Sequence, residues 1–430
     1  MTLTTGSELN NTKGKITSHN ALSIETQGKL DNTLGKIIAR NSANVLSYGD
    51  LINYQGRLGS EKSSLTLNTH QIDNRSGVIS AQGDLKLDPN KYAIDNTQTL
   101  KSGGIVSQKN ITIDSGALNN QDGQLVAKYD AIINTHQQQI TNNNGIISAD
   151  NGTISIDSAS IKNISGLIYS LKEMVINTNG QRLDNTQGVL ASQTGKLLIA
   201  SHELLNHAGL ITANTALNIN TGKQRIDNSD TATSGGIISK GELEINAGNI
   251  DNLEGKITST AKQSLFVEDI NNKKGKIGSI EERVLIESGA INNQNGLITA
   301  KTQLDITTEN NQLDNSNTLS QAGIISHGAL NLVTGNLNNQ SGYIFSAKSL
   351  LLNSLGMSNR SGEVISQANG FKLTTQTLDN QQGTLYSADN FTLDTQGYAL
   401  NNNQTLSGGI ISQGKLDLKK VVSLIIFKGA

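Results

Sequence analysis

The stretch LDNTQGVLAS, Leu183 to Ser192, sets an acid, an amide and a glycine in front of an aliphatic pair. Alone it has the makings of a cation loop, with Asp184 as ligand, Asn185 beside it and Gly188 letting the backbone fold tightly. A second stretch, His202-Glu203-Leu204-Leu205-Asn206-His207, resembles the zinc-protease signature. That signature needs two histidines four apart on one helical face, and here the pair is one residue too far apart. Gly195-Lys196 suggests a phosphate loop but lacks the upstream glycine and the following Ser or Thr. There is no Gly-x-Ser-x-Gly elbow and no Gly-Gly-x-Gly-x-Asp calcium nonapeptide. The acids Glu281-Glu282 read as a solvated loop, and His136-Gln137-Gln138-Gln139 as a polar link.

The elements that must hold these residues decide what they are. LDNTQG recurs along the chain, as LDNTLGKIIA at Leu30, IDNRSGVISA at Ile72, IDNLEGKITS at Ile250 and LDNQQGTLYS at Leu378. We find 19 copies, starting at residues 9, 30, 51, 72, 94, 118, 140, 161, 183, 204, 226, 250, 270, 291, 313, 337, 357, 378 and 400, each 20 to 24 residues from the next. Each unit reads aliphatic-x-Asn-x-x-Gly-x-aliphatic, then a period-2 pair such as Leu65-Thr66-Leu67 or Leu304-Asp305-Ile306. Alternation of this kind predicts short half-buried strands, and no stretch sustains helical periodicity. A unit this small cannot bury its apolar face alone, so neighbours must stack. The leucine-rich-repeat pattern does not fit. The fold class expected is all-β, a right-handed parallel β-helix (solenoid) of about 19 coils of 20–24 residues. At about 4.8 Å per coil it would make a rod roughly 90 Å long.

Comparison of the copies separates fixed positions from free ones. The third position is Asn in all 19, among them Asn11, Asn53, Asn142, Asn185, Asn206 and Asn359. Asn tolerates left-handed backbone and suits tight corners. Stacked once per coil, its amides can bond along the rod, so an internal asparagine ladder is expected. The glycine after it suits a positive φ or a tight contact. The aliphatic two residues beyond, as at Ile16, Leu125, Leu190, Ile257 and Leu385, is core. The second position is Asp in eight copies and Asn in six, but Ile52, Thr141, Lys162, Leu205 and Ser358 in the other five. A ligand repeated in every coil would not vary so freely, so Asp184 is read as an exposed turn residue. Four longer coils begin at Ile94, Ile226, Leu313 and Leu400 and insert residues before a glycine. The starts 226, 313 and 400 are 87 residues apart, a four-coil superperiod. This places a bulge on one flank, a position where repeat insertions often mark a binding face.

Composition agrees. Charged residues are 16% and aromatics 3%, which argues against conventional globular domains. Pro89 is the single proline, as fits a backbone whose N–H groups are committed to ladders. A net charge of −2 without a dense basic run gives no nucleic-acid footprint. The absence of cysteine excludes disulfide scaffolds and thiolate metal sites. VVSLIIF, Val421 to Phe427, is far too short for a membrane span. Carboxylates and arginines do not cluster off-pattern as a polysaccharide-cleaving β-helix would need. The chain is read as non-enzymatic, with no catalytic, cofactor-binding or metal residues and no cofactor.

Units such as LDNTQGVLASQTGKLLIAS and INNQNGLITAKTQLDITT resemble the haemagglutinin repeats of two-partner secretion exoproteins, the filamentous haemagglutinin and contact-dependent growth inhibition family. The resemblance covers about 95% of the chain and implies a β-helical shaft exported through a dedicated outer-membrane transporter. It implies a secreted or Gram-negative cell-surface location, and a role in adhesion or toxin presentation. The partners implied are that transporter and a receptor on a host or neighbouring cell. Two alternatives go with it: a shaft that itself binds host glycan or protein through the long-coil flank, or the stick of a growth-inhibition toxin. The opening MTLTTGSELN has neither basic nor apolar signal-peptide regions, and no toxin motif follows, so the chain is read as a fragment of a longer exoprotein. Residues 1–8 are assigned to a partial preceding coil, 9–420 to one continuous repeat, and 421–430 to an off-pattern apolar tail.

Overall fold

The computed structural model describes residues 1–101, 103–233, 235–318, 322–405, 408–422 and 424–425. They fall into two compact units, Met1–Thr215 and Ala216–Ala430, each built from the same coil. The described residues form strands and turns and no helix.

One coil shows the construction. Leu183–Asp184, Val189–Ser192 and Leu197–Ala200 are its three strands. Each lies parallel to its counterpart one coil earlier, with Ile161 opposite Leu183, Leu167 opposite Val189 and Met174 opposite Leu197. The second unit repeats the scheme, with Ile270, Ile277 and Val284 facing Ile291, Ile298 and Leu304. Each unit is therefore a parallel β-solenoid in which every strand position forms its own ladder. At the first unit's start, Thr2–Thr5 pairs as a third strand with Leu22–Thr26. Beyond residue 420 the backbone of Leu424–Ile425 still pairs with Leu400–Asn401, while 423 and 426–430 lie outside the described residues.

Alternation puts the aliphatics inside. Leu183, Leu190 and Leu197 are fully buried, and so are their counterparts Ile161, Ile168 and Met174. Each such side chain contributes about 1.5–3 kcal/mol, so the core is a stack of small aliphatic layers. Ile16, read as core, is only half-buried. It sits in the first full coil of its unit, where fewer neighbouring coils cover it.

The asparagine ladder forms as expected. In the first unit, Nδ2 of each ladder Asn donates to Oδ1 of the next from Asn11 to Asn206, at 2.7–2.8 Å. The second unit carries its own run from Asn228 to Asn402 at the same distances. The second amide hydrogen of Asn185 faces the carbonyls of Gly188 (3.1 Å) and Leu210 (3.2 Å). Asn185 is fully buried and its amide is satisfied, as burial demands.

Backbone conformation corrects one expectation and decides between the two offered for the glycine. The left-handed residue of the corner is not the asparagine, nor the glycine, but the residue between them. Gln187 has φ 56°, and Lys13, Ser76, Ala208, Glu254 and Ser361 hold the same place at 49° to 56°. Gly188 meets the second of its two expected reasons, a tight contact. A Cβ there would strike the Asn163 carbonyl of the coil before and the Oδ1 of Asn185.

Asp184 is also more than an exposed turn residue. Half-buried, its Oδ1 accepts the Thr186 N–H at 3.1 Å, an Asx turn. Asp31, Asn119, Asp227 and Asn292 make the same bond to Thr33, Gln121, Ser229 and Gln294 at 3.0–3.2 Å.

Two stability outcomes follow from this corner. Asn185→Ala strips a partner from both Asn163 and Asn206, at about 1–3 kcal/mol for each buried group. Asp184→Ala removes one partly solvated bond worth about 1 kcal/mol. Thermal melts followed by circular dichroism should rank Asn185→Ala well below Asp184→Ala, and equal shifts would contradict a ladder. In the same assay, Gln187→Gly should raise stability by roughly 0.5–1 kcal/mol, by relieving a left-handed non-glycine residue. Gly188→Ala should lower it.

Candidate functional site

The residues that first suggested chemistry are separated by the coil rather than gathered by it. In register at the second position, Asp184 stands between Lys162 and Leu205, so the adjacent coils supply no second carboxylate. Between His202 and His207 run Leu204–Leu205 and the ladder residue Asn206. Leu204 points into the core and His202 into solvent. Glu203 pairs with Arg182 at 3.0 Å instead. Lys196 beside Gly195 pairs with Glu173 at 3.2 Å. Glu281 and Glu282 are exposed on a turn, where the backbone N–H of Glu282 is held by Ser279 Oγ at 3.1 Å. In the polar link, His136 Nε2 lies 2.6 Å from Asp114 Oδ1, and Thr135 Oγ1 donates to the Gln138 carbonyl at 2.6 Å. Among the described residues, no group of three His, Asp or Glu is placed to hold a metal ion.

Shifted titrations mark surface contacts rather than a site. The Glu254 carboxylate, hydrogen-bonded to Lys274, holds the ammonium above its ordinary range. Burial, with Glu363 nearby, pushes the Tyr343 hydroxyl up. Burial works to raise the Asp31 carboxyl, but bonds from Thr33 and the Lys29 charge outweigh it and hold it low.

The long coils are built differently from the sequence reading. The expected insertion lay before the glycine that follows the ladder Asn. In the structure, the glycine at the strand entrance is one position further on, with Gly104 opposite Val78, Gly323 opposite Leu297 and Gly409 opposite Thr384. The corner-glycine position is a threonine, at Thr99, Thr231, Thr318 and Thr405. Thr231 is fully buried. Its Oγ1 donates to the Asn228 carbonyl at 3.0 Å and accepts the Lys256 N–H at 3.0 Å. Thr318 does the same for Asn315 and Tyr343. In ordinary coils that N–H goes to the corner glycine's carbonyl, as Val189 does to Gly166 at 2.8 Å. The hydroxyl thus replaces a backbone acceptor at the point where the insertion leaves the coil. Ser102, Ser234, 319–321 and 406–407, which belong to the inserted segments read as a flank, lie outside the described residues.

Sequence reasoning missed two further corners. Small buried residues end the second strand at Ser60, Ala81, Ser107, Ala127 and Ser192. Buried hydroxyls close the third at Thr26, Ser47, Thr135 and Thr178. Both are legible as a Ser/Ala column and a Ser/Thr column once the copies are aligned on strands rather than on the LDNTQG motif.

A family model described as haemagglutinin repeat matches residues 1–33, 34–92, 88–187, 177–230 and 221–265. No curated protein and no solved structure matches the chain.

The threonine substitution can be checked directly. Thr231→Ala leaves the buried Lys256 N–H without its acceptor and should cost about 1–3 kcal/mol in equilibrium unfolding. Thr231→Ser should restore most of the loss.

Proposed function

We propose, from the premise that this chain belongs to the haemagglutinin-repeat family, that it is the shaft of a filamentous-haemagglutinin-like adhesin, holding a distal adhesive or toxic module away from the cell. The observation that carries this reading is the use of the conserved-in-repeat polar residues. Asn185 and Thr231 spend their hydrogen bonds on the coils around them, so repetition here serves stacking. Stability in such an array is a sum of neighbour contacts, and folding propagates from coil to coil. That suits a chain delivered end-first through a pore, and the absence of cysteine leaves no disulfide to obstruct it. The partner expected is a two-partner outer-membrane transporter, and the location the cell surface or medium.

The four-coil superperiod offers a test. Deleting residues 226–312 joins two coils at equivalent positions, since Ile226 and Leu313 both open a unit. The shortened protein should melt cooperatively, and its maximum dimension in solution scattering should fall by about 19 Å, four strand spacings. A compact profile with no length change would overturn the shaft reading.

A further inference from the structure

Five asparagines in the chain are followed by glycine: Asn144, Asn151, Asn179, Asn295 and Asn369. Such a pair can react with itself. The glycine nitrogen, once it loses its proton, attacks Cγ of the asparagine, and glycine has no side chain to crowd the ring that forms. Closure needs the Asn–Gly peptide to turn about the asparagine's Cα–C bond, so that the nitrogen faces the side chain. Exposure does not separate the five, since all five asparagines are exposed. What separates them is what holds the peptide and the amide.

Asn144 and Asn295 occupy the left-handed place before the corner glycine, at φ 52° and 55°. The N–H of Gly145 donates to the Asn142 carbonyl at 3.0 Å, and that of Gly296 to the Asn293 carbonyl at 2.9 Å. Both glycines lie against a carbonyl of the coil before, that of Asn120 and of Asn272. Turning either peptide would break the corner. The Gly152 N–H donates more weakly, to the Ala149 carbonyl at 3.4 Å, but Gly152 is buried against the Tyr129 backbone. The Gly180 N–H has no acceptor among the described residues, yet the amide of Asn179 is tied down. Its Nδ2 donates to Asp157 Oδ1 and to the Ser158 carbonyl at 2.9 Å, and its Oδ1 accepts from Asn177 Nδ2 at 3.2 Å. Asn369 has neither restraint. It is left-handed, at φ 59°, in the turn that joins strands Glu363–Ser366 and Phe371–Thr374. Among the described residues neither its amide, nor its carbonyl, nor the Gly370 N–H has a partner. The turn is held instead by the Gly370 carbonyl, which accepts the Leu350 N–H at 3.1 Å and Ser366 Oγ at 2.9 Å. The Asn369–Gly370 peptide can therefore turn while the coil stays paired.

We propose that Asn369 is a self-modification site, at which the folded chain deamidates to aspartate and isoaspartate. The Gly370 nitrogen forms a bond to Asn369 Cγ, the Cγ–Nδ2 bond breaks, and ammonia leaves with the proton that the Gly370 N–H gave up. The ring so formed is a succinimide. Solvent water then opens it at one of its two carbonyls. Attack at Cγ restores the original backbone and leaves aspartate. Attack at the backbone carbonyl leaves isoaspartate, with the chain now running through the side chain. One water is consumed and one ammonia released. Both products carry a new carboxylate, and the isoaspartyl link adds one backbone carbon to the turn. That turn delivers Phe371 into the core, where its ring stacks on Phe391 with centroids 4.3 Å apart, so the change reaches the packing. The inference does not depend on the shaft reading.

The test is incubation of the whole chain in warm, mildly alkaline buffer, with tandem mass spectrometry of its peptides at successive times. Isoaspartate is located separately, by methyl transfer from S-adenosylmethionine with an isoaspartyl methyltransferase. A corner N–H must leave its acceptor before it can react, so Asn369 should convert first, at least roughly tenfold faster than Asn144 and Asn295. In denaturant the five rates should converge, because the fold no longer restrains any of them. Asn369→Gln should abolish the leading phase, since glutamine closes its larger ring far more slowly. The same variant should keep the parent's melting temperature, because the side chain has no partner to lose. The inference is overturned if any of the other four keeps pace with Asn369 in the folded chain, if the ranking survives unfolding, or if the leading phase persists in Asn369→Gln.

Discussion

The structure depends on one hydrogen bond repeated, from the amide nitrogen of a buried asparagine to the amide oxygen of the asparagine one coil on, at 2.7–2.8 Å. An amide is suited to this because it carries donor and acceptor at one end of one side chain. A serine could be both, but it is too short to reach past its own corner. A leucine would fill the volume and leave the backbone carbonyls beneath it unanswered. Once the amide is fixed, the chain has little choice around it. The peptide must turn within three residues, so the residue before the glycine goes left-handed, as Gln187 does at 56°. In an ordinary coil the next residue lies against the carbonyl of the coil below, and a Cβ there would strike it.

This constraint explains where the coil tolerates change. Between the ladder Asn and the corner glycine the residue count is fixed, because two coils' amides must meet. Insertions are placed after the glycine position, and then a threonine stands in it. The Thr231 hydroxyl meets both the Asn228 carbonyl and the Lys256 N–H, so the corner closes although the chain leaves. At the other corners variation is freer. The turn after the third strand runs through Thr178 to Arg182 before Leu183 in one coil, and is only Ala247 to Asn249 before Ile250 in another. Buried hydroxyls such as Thr178, bonding the Gln181 carbonyl across its own turn, make each such turn self-contained.

How much of this the sequence disclosed follows from the same logic. Period, strand alternation, the parallel stack and the ladder were legible, because each is written in residue type at fixed spacing. Gly188 was legible as required, with a tight contact and a positive φ both open as its reason, since a glycine chosen for space and one chosen for φ look alike in a sequence. Gln187 was not legible from any one copy. Its signal is an avoidance, since that position never holds Val, Ile or Thr in the 19 copies, as β-branched side chains are the least tolerant of positive φ. The Asx role of Asp184 was masked by coils such as those of Ile52 and Leu205, which do without it. Such a cap on a half-solvated turn is worth about 1 kcal/mol, too little to be kept everywhere.

The stacking of like charges was hidden for a different reason. A linear reading looks for charge runs, and Lys15, Lys36 and Arg57 lie 21 residues apart yet stand opposite one another in register. In a helix or hairpin such residues would be unrelated. In a solenoid, sequence separation by one period is spatial contact, and the density that matters is counted down a column of aligned copies. By that count a chain of net charge −2 stacks three cations in one column. The reverse also holds, for His202 and His207, close in sequence, are divided by a strand and a ladder residue. Proximity along the chain therefore argues against a shared site in this fold, because adjacent residues alternate between core and solvent. Binding in a protein of this kind is most economically built by changing one column over a few coils, with the corner left untouched.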